Sequence, residues 1–333
     1  MLKTINFAVI GYGRIGKRHA TIINGYDNAK LVAVCDVNFE KKVTINVPFF
    51  ESINSLLAAD LGIDVVCICT PNGLHAEHAL KCLEARKNVV IEKPMSLKRA
   101  DCEAIIFKSL QVSKQVFCVM QNRYSPPAQW LHKVLNDNLL GNIYMVQVNC
   151  FWNRDERYYT ADTWHGSKDL DGGTLFTQFS HFIDMMYWLF GDITNIQAAF
   201  QNFSHGEMID FEDTGLVHFD FVNGGKGCLN YSTSVFNQNF ESTLTIVGEK
   251  GTVKVGGQYM EKVEYCHIEN YEMPILPPSN PPNDYGAYKG SAANHHYIIE
   301  NVVDVLNGKT TITTNALEGM KVVDIIERIY LNK

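Results

Sequence analysis

The feature that most limits what this chain can fold into is its opening. An apolar run, Phe7 to Ile10, reads as a short buried strand and leads into Gly11, Gly13 and Gly16, after which the pattern turns helical. In G-x-G-x-x-G the first glycine permits a tight turn and the second lets backbone approach a pyrophosphate. The third lets the helix pack close to the strand, while the amides at the helix N-terminus face the phosphates. Arg14 and Ile15 lie in the same turn. A second apolar run, Leu31 to Cys35, ends in Asp36, twenty positions beyond Gly16. An acid there suits hydrogen bonds to the adenosine ribose hydroxyls, and its charge repels a 2′-phosphate. Strand, glycines, helix, strand and acid agree on a dinucleotide site, with NAD favoured over NADP.

Further apolar strands follow at Asp64–Cys69, Asn88–Ile91 and Gln115–Met120, separated by helical stretches near residues 75–85 and 97–110, and residues 49–59 have room for another helix. Such alternation means a parallel sheet covered on both faces, whose ligands sit beyond the carboxyl ends of its strands. Gly11, Asp36, Thr70 to Asn72, Glu92 to Pro94 and Gln121 to Arg123 all fall at such ends. Beyond about residue 123 the period changes to two. Tyr144, Val146, Val148, Cys150 and Trp152 alternate with polar residues, and the stretches at 217–221 and 243–246 do the same. These are half-buried strands of an antiparallel sheet. One long helical stretch, about Gly173 to Phe190, lies among them, and residues 273–293 carry five prolines and little periodicity. The chain ends in two helical stretches. The expected architecture is an α/β Rossmann domain over residues 1–122, then an α+β domain over 123–333 with a large, mainly antiparallel open sheet, the closing helices being candidates to pack back on the first domain.

A formal charge of −7 argues against a general binder of nucleic acid or anionic membrane. No apolar stretch approaches transmembrane length, and the N-terminus reads as a buried strand rather than a signal peptide. Nine scattered cysteines without paired C-x-x-C spacing read as reduced thiols of a cytoplasmic protein. His75 with His78, and His295 with His296, lack the cysteine or carboxylate company of a zinc site, so no metal is expected.

Lys93 closes a buried strand between an acid and a proline, where it is able to hydrogen-bond or protonate a substrate oxygen; the plainer reading is a surface lysine opening a helix. Thr70-Pro71-Asn72 borders the nicotinamide ribose or is simply a turn. Thr177, His181, Asp184 and Trp188 recur at helical spacing and share one face, which is either solvated or lines a pocket.

Taken together, the glycine motif, Asp36, Thr70-Pro71-Asn72 with His75, Glu92-Lys93-Pro94, and Gly172-Gly173 followed by His181 and Asp184 resemble the Gfo/Idh/MocA oxidoreductases over nearly the whole chain. The resemblance implies an NAD(P)-binding first domain, a substrate-bearing open sheet, Lys93 near the reacting carbon and His181 as acid/base. Many members carry an aspartate where this chain has Thr177, which has no charge to offer the histidine. Gln178 beside it, with Gln121 to Pro127, Trp152 to Arg154, Tyr158-Tyr159, Trp164 to Gly166 and Asp171 to Gly173, looks like the subgroup acting on UDP-N-acetyl-2-amino-2-deoxyglucuronate. Those enzymes oxidise the sugar at carbon 3 for bacterial surface polysaccharide.

The candidate cofactor residues are therefore Gly11, Gly13, Arg14, Ile15, Gly16, Asp36, Thr70, Pro71, Asn72, His75, Glu92, Lys93 and Gln121. Arg154, Arg157 and Lys168 are candidates for the diphosphate and carboxylate of a nucleotide-sugar acid. Asn122, Arg123, Tyr159, Thr177, Gln178, Tyr288, Asn294 and His295 complete the candidate substrate set with His181. Which of Lys93 and His181 is the base stays open at this stage. The partner expected is a small sugar or nucleotide sugar, and the open sheet face is expected to join copies into a homodimer or homotetramer. An inositol or free-aldose dehydrogenase of the same fold, or a cofactor-binding sensor without turnover, are the competing readings.

Overall fold

The computed structural model describes residues 2–160, 164–286 and 288–332. It divides into two units, residues 1–120 with 295–323, and residues 121–294 with 324–333.

In the first unit the strands are β1 (Ile5–Ile10), β2 (Ala29–Cys35), β3 (Phe49–Phe50), β4 (Val65–Ile68), β5 (Asn88–Ile91) and β6 (Val116–Cys118). They form one parallel sheet in the order β3-β2-β1-β4-β5-β6. The connecting helices are α1 (Arg14–Asn24), α2 (Ile53–Ala58), α3 (His75–Glu84) and α4 (Arg99–Val112). β4 and β5 are buried at every position, which is why they read as unbroken apolar runs. From β1 the chain turns first to β2 on one side and later to β4 on the other. That reversal opens a crevice at the carboxyl ends of β1 and β4, where Gly11 stands. The stretch expected to be one helix, residues 49–59, is a two-residue edge strand followed by the short α2, whose start Ser52 caps by accepting from Ser55 N.

The second unit opens with α5 (Pro126–Asn136) and β7 (Ile143–Phe151), then the short helices α6 (Glu156–Tyr159) and α7 (Thr174–Thr177), then α8 (Ser180–Phe190). β8 (Ile193–Gln201), β9 (Thr214–Phe221), β10 (Lys226–Ser232), β11 (Glu241–Gly248), β12 (Gly251–Gly256) and β13 (Lys262–Ile268) complete a seven-stranded sheet with β7. Its order is β13-β12-β11-β7-β10-β9-β8, antiparallel except that β10 runs parallel to β7. One face carries Val146, Val148 and Cys150 of β7 with Leu244 and Ile246 of β11 into the core. Within the proline-rich segment a small hairpin forms from β14 (Pro282–Asp284) and β15 (Lys289–Ala292).

The chain closes with α9 (His295–Leu306) and α10 (Ala316–Leu331). α9 belongs with the first unit and α10 runs from the first into the second. Ile298, Ile299, Val302 and Val303 form the buried stripe of α9, which packs against α1, and Asn307 just beyond it bonds the backbone of Lys3. All nine cysteines are free thiols. No helix among the described residues is long and apolar enough to cross a membrane.

Candidate functional site

The glycine turn is built for something that is not protein. Gly11 has φ +85°, and a Cβ there would lie 2.6 Å from the Cys69 carbonyl oxygen, so the ends of β1 and β4 approach as only glycine allows. A Cβ on Gly16 would collide with the Gly11 carbonyl, which fixes α1 close against the turn. At Gly13, by contrast, a Cβ meets no protein atom within 4 Å. Gly13 is also the N-cap of α1, with no side chain occupying its amides and no acid in the first turn. The open space, the amides and the dipole of an 11-residue helix together suit an anion such as a pyrophosphate. At the end of β2, Asp36 is held by Tyr12 N at 2.6 Å, Asn38 N at 2.8 Å and Lys41 Nζ at 2.8 Å.

His75, expected to touch cofactor, is fully buried and clamps two loops instead. Its Nδ1 lies 2.7 Å from the Pro94 carbonyl and its Nε2 2.8 Å from that of Thr70. Burial lowers the imidazole's pKa despite the two carbonyls and Glu92, and the neutral ring donates to one of the two carbonyls at a time. The clamp ties Thr70-Pro71-Asn72 to the turn holding Lys93, whose peptide bond to Pro94 is cis. Lys93 itself is half-buried, on the rim the sequence placed it on.

Glu92 is likewise turned inward. Its Oε1 is 2.7 Å from His19 Nε2 and 3.6 Å from His295 Nε2. His295 thus has the carboxylate company that its sequence neighbours did not show, and it stands in the first unit with Glu92 rather than with Asn294. The ligand atoms of the three residues lie within 4.8 Å of one another. Two ligands of one tetrahedral zinc sit about 3.3 Å apart, so the 2.7 Å contact marks a shared proton rather than an ion. Burial opposes a charge on His19, but hydrogen bonds to Cys67 and Glu92 carry its pKa up to about 10. Burial would raise Glu92, yet His19 and its neighbours hold it at about 2, and His295, buried and facing that cation, falls to about 3. The sequence signal for His19 was available: with Gly16, Ala20 and Ile23 it forms the buried stripe of α1, an imidazole on an otherwise small and apolar face.

In the second unit the expected long helix is broken. α7 ends at Thr177 and α8 begins at Ser180, with Phe179 N reaching back to Thr174 O at 3.2 Å. Thr177 donates to the Asp171 carboxylate and to its backbone carbonyl at 3.1 Å, and Asp171, fully buried, also accepts Gly166 N at 2.8 Å. Asp184 faces neither solvent nor a pocket: Arg123, fully buried, grips it with Nε at 2.9 Å and Nη2 at 2.6 Å. Arg123 thus has a buried structural partner, and Trp188, the next residue of that face, stacks on His132.

His181 is 3.3 Å from the Gln121 side-chain nitrogen. That contact between nitrogens is a hydrogen bond if the amide donates to the Nε2 lone pair. Around it, buried polar atoms without a hydrogen-bond partner in the protein include Gln121 Oε1, Asn122 Nδ2, Ser180 Oγ and both polar atoms of Gln178. Leaving such groups dry costs about 1–3 kcal/mol each, and a hydroxyl-rich ligand would satisfy them. Asn294, bonded to Gln121 O at 3.2 Å and to Ser125 Oγ at 3.1 Å, and Asn122, which accepts from Ser291 at 2.5 Å, brace this group.

The candidate anion partners separate. Arg154 is buried inside an aromatic cage, 4.9, 5.2 and 4.7 Å from the ring centres of Trp152, Tyr158 and Tyr288. Its guanidinium bonds the carbonyls of Asn153 and Lys289 and the Asn239 side chain. Tyr159 packs edge-on against Tyr158 beside this cage. Arg157 is an exposed residue paired with Asp155, and Lys168 is exposed with its backbone amide on Asp210.

Comparison with known proteins follows this division. Residues 5–119 match the family model described as oxidoreductase family, NAD-binding Rossmann fold, and residues 128–254 match the GFO/IDH/MocA C-terminal domain. The chain is similar to the WlbA dehydrogenase from Bordetella pertussis, solved in complex with NADH and UDP-GlcNAcA. It is 30% identical to that protein, covering 99% of this chain and 96% of the other with a TM-score of 0.87. The WlbA enzyme of Chromobacterium violaceum, solved with the same two ligands, gives 30% identity, 99% and 94% coverage and a TM-score of 0.88. An inositol 2-dehydrogenase of Rhizobium meliloti is 24% identical over 82% of each chain.

Proposed function

This chain belongs to the Gfo/Idh/MocA oxidoreductases and is an NAD-dependent sugar dehydrogenase, and from that premise we propose that it oxidises carbon 3 of UDP-N-acetyl-2-amino-2-deoxyglucuronate for a bacterial surface polysaccharide. The observation that carries this reading is the 30% identity, spread over 99% of the chain, to a dehydrogenase solved with NADH and UDP-GlcNAcA. The unsatisfied polar atoms beside His181 support a ligand rich in hydroxyls.

Bound NAD⁺ supplies the hydride acceptor. His181, as a neutral imidazole released from Gln121, takes the proton of the substrate hydroxyl as the carbonyl forms, and the Lys93 ammonium stabilises the negative charge growing on that oxygen. Gln121 orients the imidazole, and the His75 clamp fixes the turn that presents Lys93. Asn122, Gln178, Asn294 and Tyr288 belong on the sugar side of the site, with Thr177 acting through Asp171. The assembly we place on the open sheet face is a homodimer or homotetramer.

The test is absorbance of NADH with purified protein, NAD⁺ and the UDP-linked sugar acid, with and without 2-oxoglutarate, alongside product analysis. A substrate-dependent rise, or a 3-keto product without net NADH, is expected. No product from the nucleotide sugar with turnover of an inositol moves the protein to the inositol-oxidising branch. In the same assay Lys93→Met and His181→Ala each lose turnover by orders of magnitude and keep NADH binding; near-normal turnover in either removes that residue from the chemistry.

A further inference from the structure

We propose that Lys41 is a specificity-determining residue of the nucleotide site: by pairing with Asp36 it weakens the protein's preference for NAD over the 2′-phosphorylated cofactor. The proposal rests on reading Asp36 as the receptor of the adenosine ribose, and it revises what Asp36 alone would dictate. The Asp36 carboxylate is 7% exposed, and its contacts are unevenly shared. Oδ1 accepts Asn38 N at 2.8 Å, whereas Oδ2 accepts both Tyr12 N at 2.6 Å and Lys41 Nζ at 2.8 Å. Each carboxylate oxygen offers about two acceptor positions. A ribose diol needs one on each oxygen, so Oδ2 is already full, and Lys41 has to yield its place when NAD binds.

The local sequence puts Lys41 there by construction. Asn38 donates its amide to Asp36 and accepts from Glu40 N at 3.0 Å, which turns the chain into a 3₁₀ turn, Phe39–Thr44, and swings position 41 back over the strand end. The neighbouring Lys42 is engaged elsewhere, 4.9 Å above the Phe39 ring. Lys41 therefore acts in two directions on one oxygen. Against NAD it competes with a ribose hydroxyl. Toward a 2′-phosphate it offsets the charge by which Asp36 would repel the dianion, and it offers an ammonium in the same place.

The quantity to read is the ratio of dissociation constants, NADPH over NADH, from fluorescence titrations. Attraction to the pyrophosphate is common to both cofactors and cancels in that ratio. Because Lys41 stays partly exposed over a buried Asp36, Lys41→Ala should raise the ratio about three- to fivefold, and Lys41→Arg should leave it near the wild-type value. Asp36→Asn should lower it. An effect of Asp36→Asn with no rise in Lys41→Ala overturns the role of Lys41 alone. A ratio untouched by Asp36→Asn overturns the ribose reading and this proposal with it.

Discussion

At the scale of single residues, the buried polar groups of the first unit are sorted by where protons sit. Two imidazoles converge on one oxygen of Glu92, and only the nearer, His19, carries the charge. The pair is one interaction, so its effect on stability is counted once, through His19. The His19 pKa is about 10 against an ordinary 6.5, so the folded state holds a proton that the unfolded chain releases between those values. By linkage its stabilisation is complete below pH 6.5 and is lost as pH rises through about 10. His295 acts the other way. Its pKa of about 3 means that the unfolded chain takes up a proton the folded chain refuses, so stability falls as pH drops from 6.5 toward 3. His19→Gln should therefore lower the melting temperature most near pH 6 and much less at pH 9.5. Thermal melts across that range check it, and a deficit that is flat with pH would show that His19 contributes only packing. None of this was readable from Glu92-Lys93-Pro94 alone, because a carboxylate beside a lysine gives no sign of a histidine 73 positions earlier.

At the scale of elements, the sequence was most informative where a strand or helix is specified by its own periodicity. β4 and β5 are buried at every position and stood out as apolar runs; β7 is buried on alternate positions from Val146 to Cys150 and stood out by its period of two. The glycine turn was legible because at Gly11 and Gly16 its geometry admits no other residue. The break between α7 and α8 was not, since Thr174 to Phe190 contains neither proline nor glycine to mark it. At the break the backbone slips, Phe179 N reaching Thr174 O, while the Thr177 side chain is engaged by Asp171 across the start of α7. The surroundings of Arg123 and Arg154 were hidden for a related reason. A sequence shows that a cation is present, but not that Asp184 or an aromatic cage already holds it. The Thr177 contact makes a test of this element. Thr177→Val leaves a buried carboxylate short of one donor and should cost about 2 kcal/mol, whereas Thr177→Ser keeps the donor and most of the stability. Urea unfolding of both variants checks it; a loss in Thr177→Ser with none in Thr177→Val would assign the effect to the methyl group rather than to the bond with Asp171.

At the scale of the molecule, the seven-stranded sheet leaves one face with an unusual mixture. Met145 and Val247 lie opposite each other on β7 and β11, Leu216 stands on β9 and Tyr265 on β13, all exposed, among Gln147, Asn149, Thr245 and Asn230. Chains carrying a net charge of −7 repel one another at long range, so a homotypic contact has to draw its stability from burial at short range. The face is large enough. Seven strands spaced about 4.8 Å apart span roughly 30 Å, and strands of six to nine residues rise roughly 20–30 Å. The product is on the order of 600–900 Å², which brackets the roughly 800 Å² per partner of a standard interface. Its polar residues do not argue against this, since an ordinary interface is about as apolar as the surface around it. The protein should therefore sediment as a dimer or tetramer at micromolar concentration. Met145→Arg combined with Leu216→Arg, two substitutions on that face and away from the core, should give a monomer with an unchanged circular dichroism spectrum. A wild-type monomer at that concentration removes the assembly altogether. An assembled double variant moves the contact off the sheet, and the exposed row from Tyr265 to Leu216 would then need another occupant.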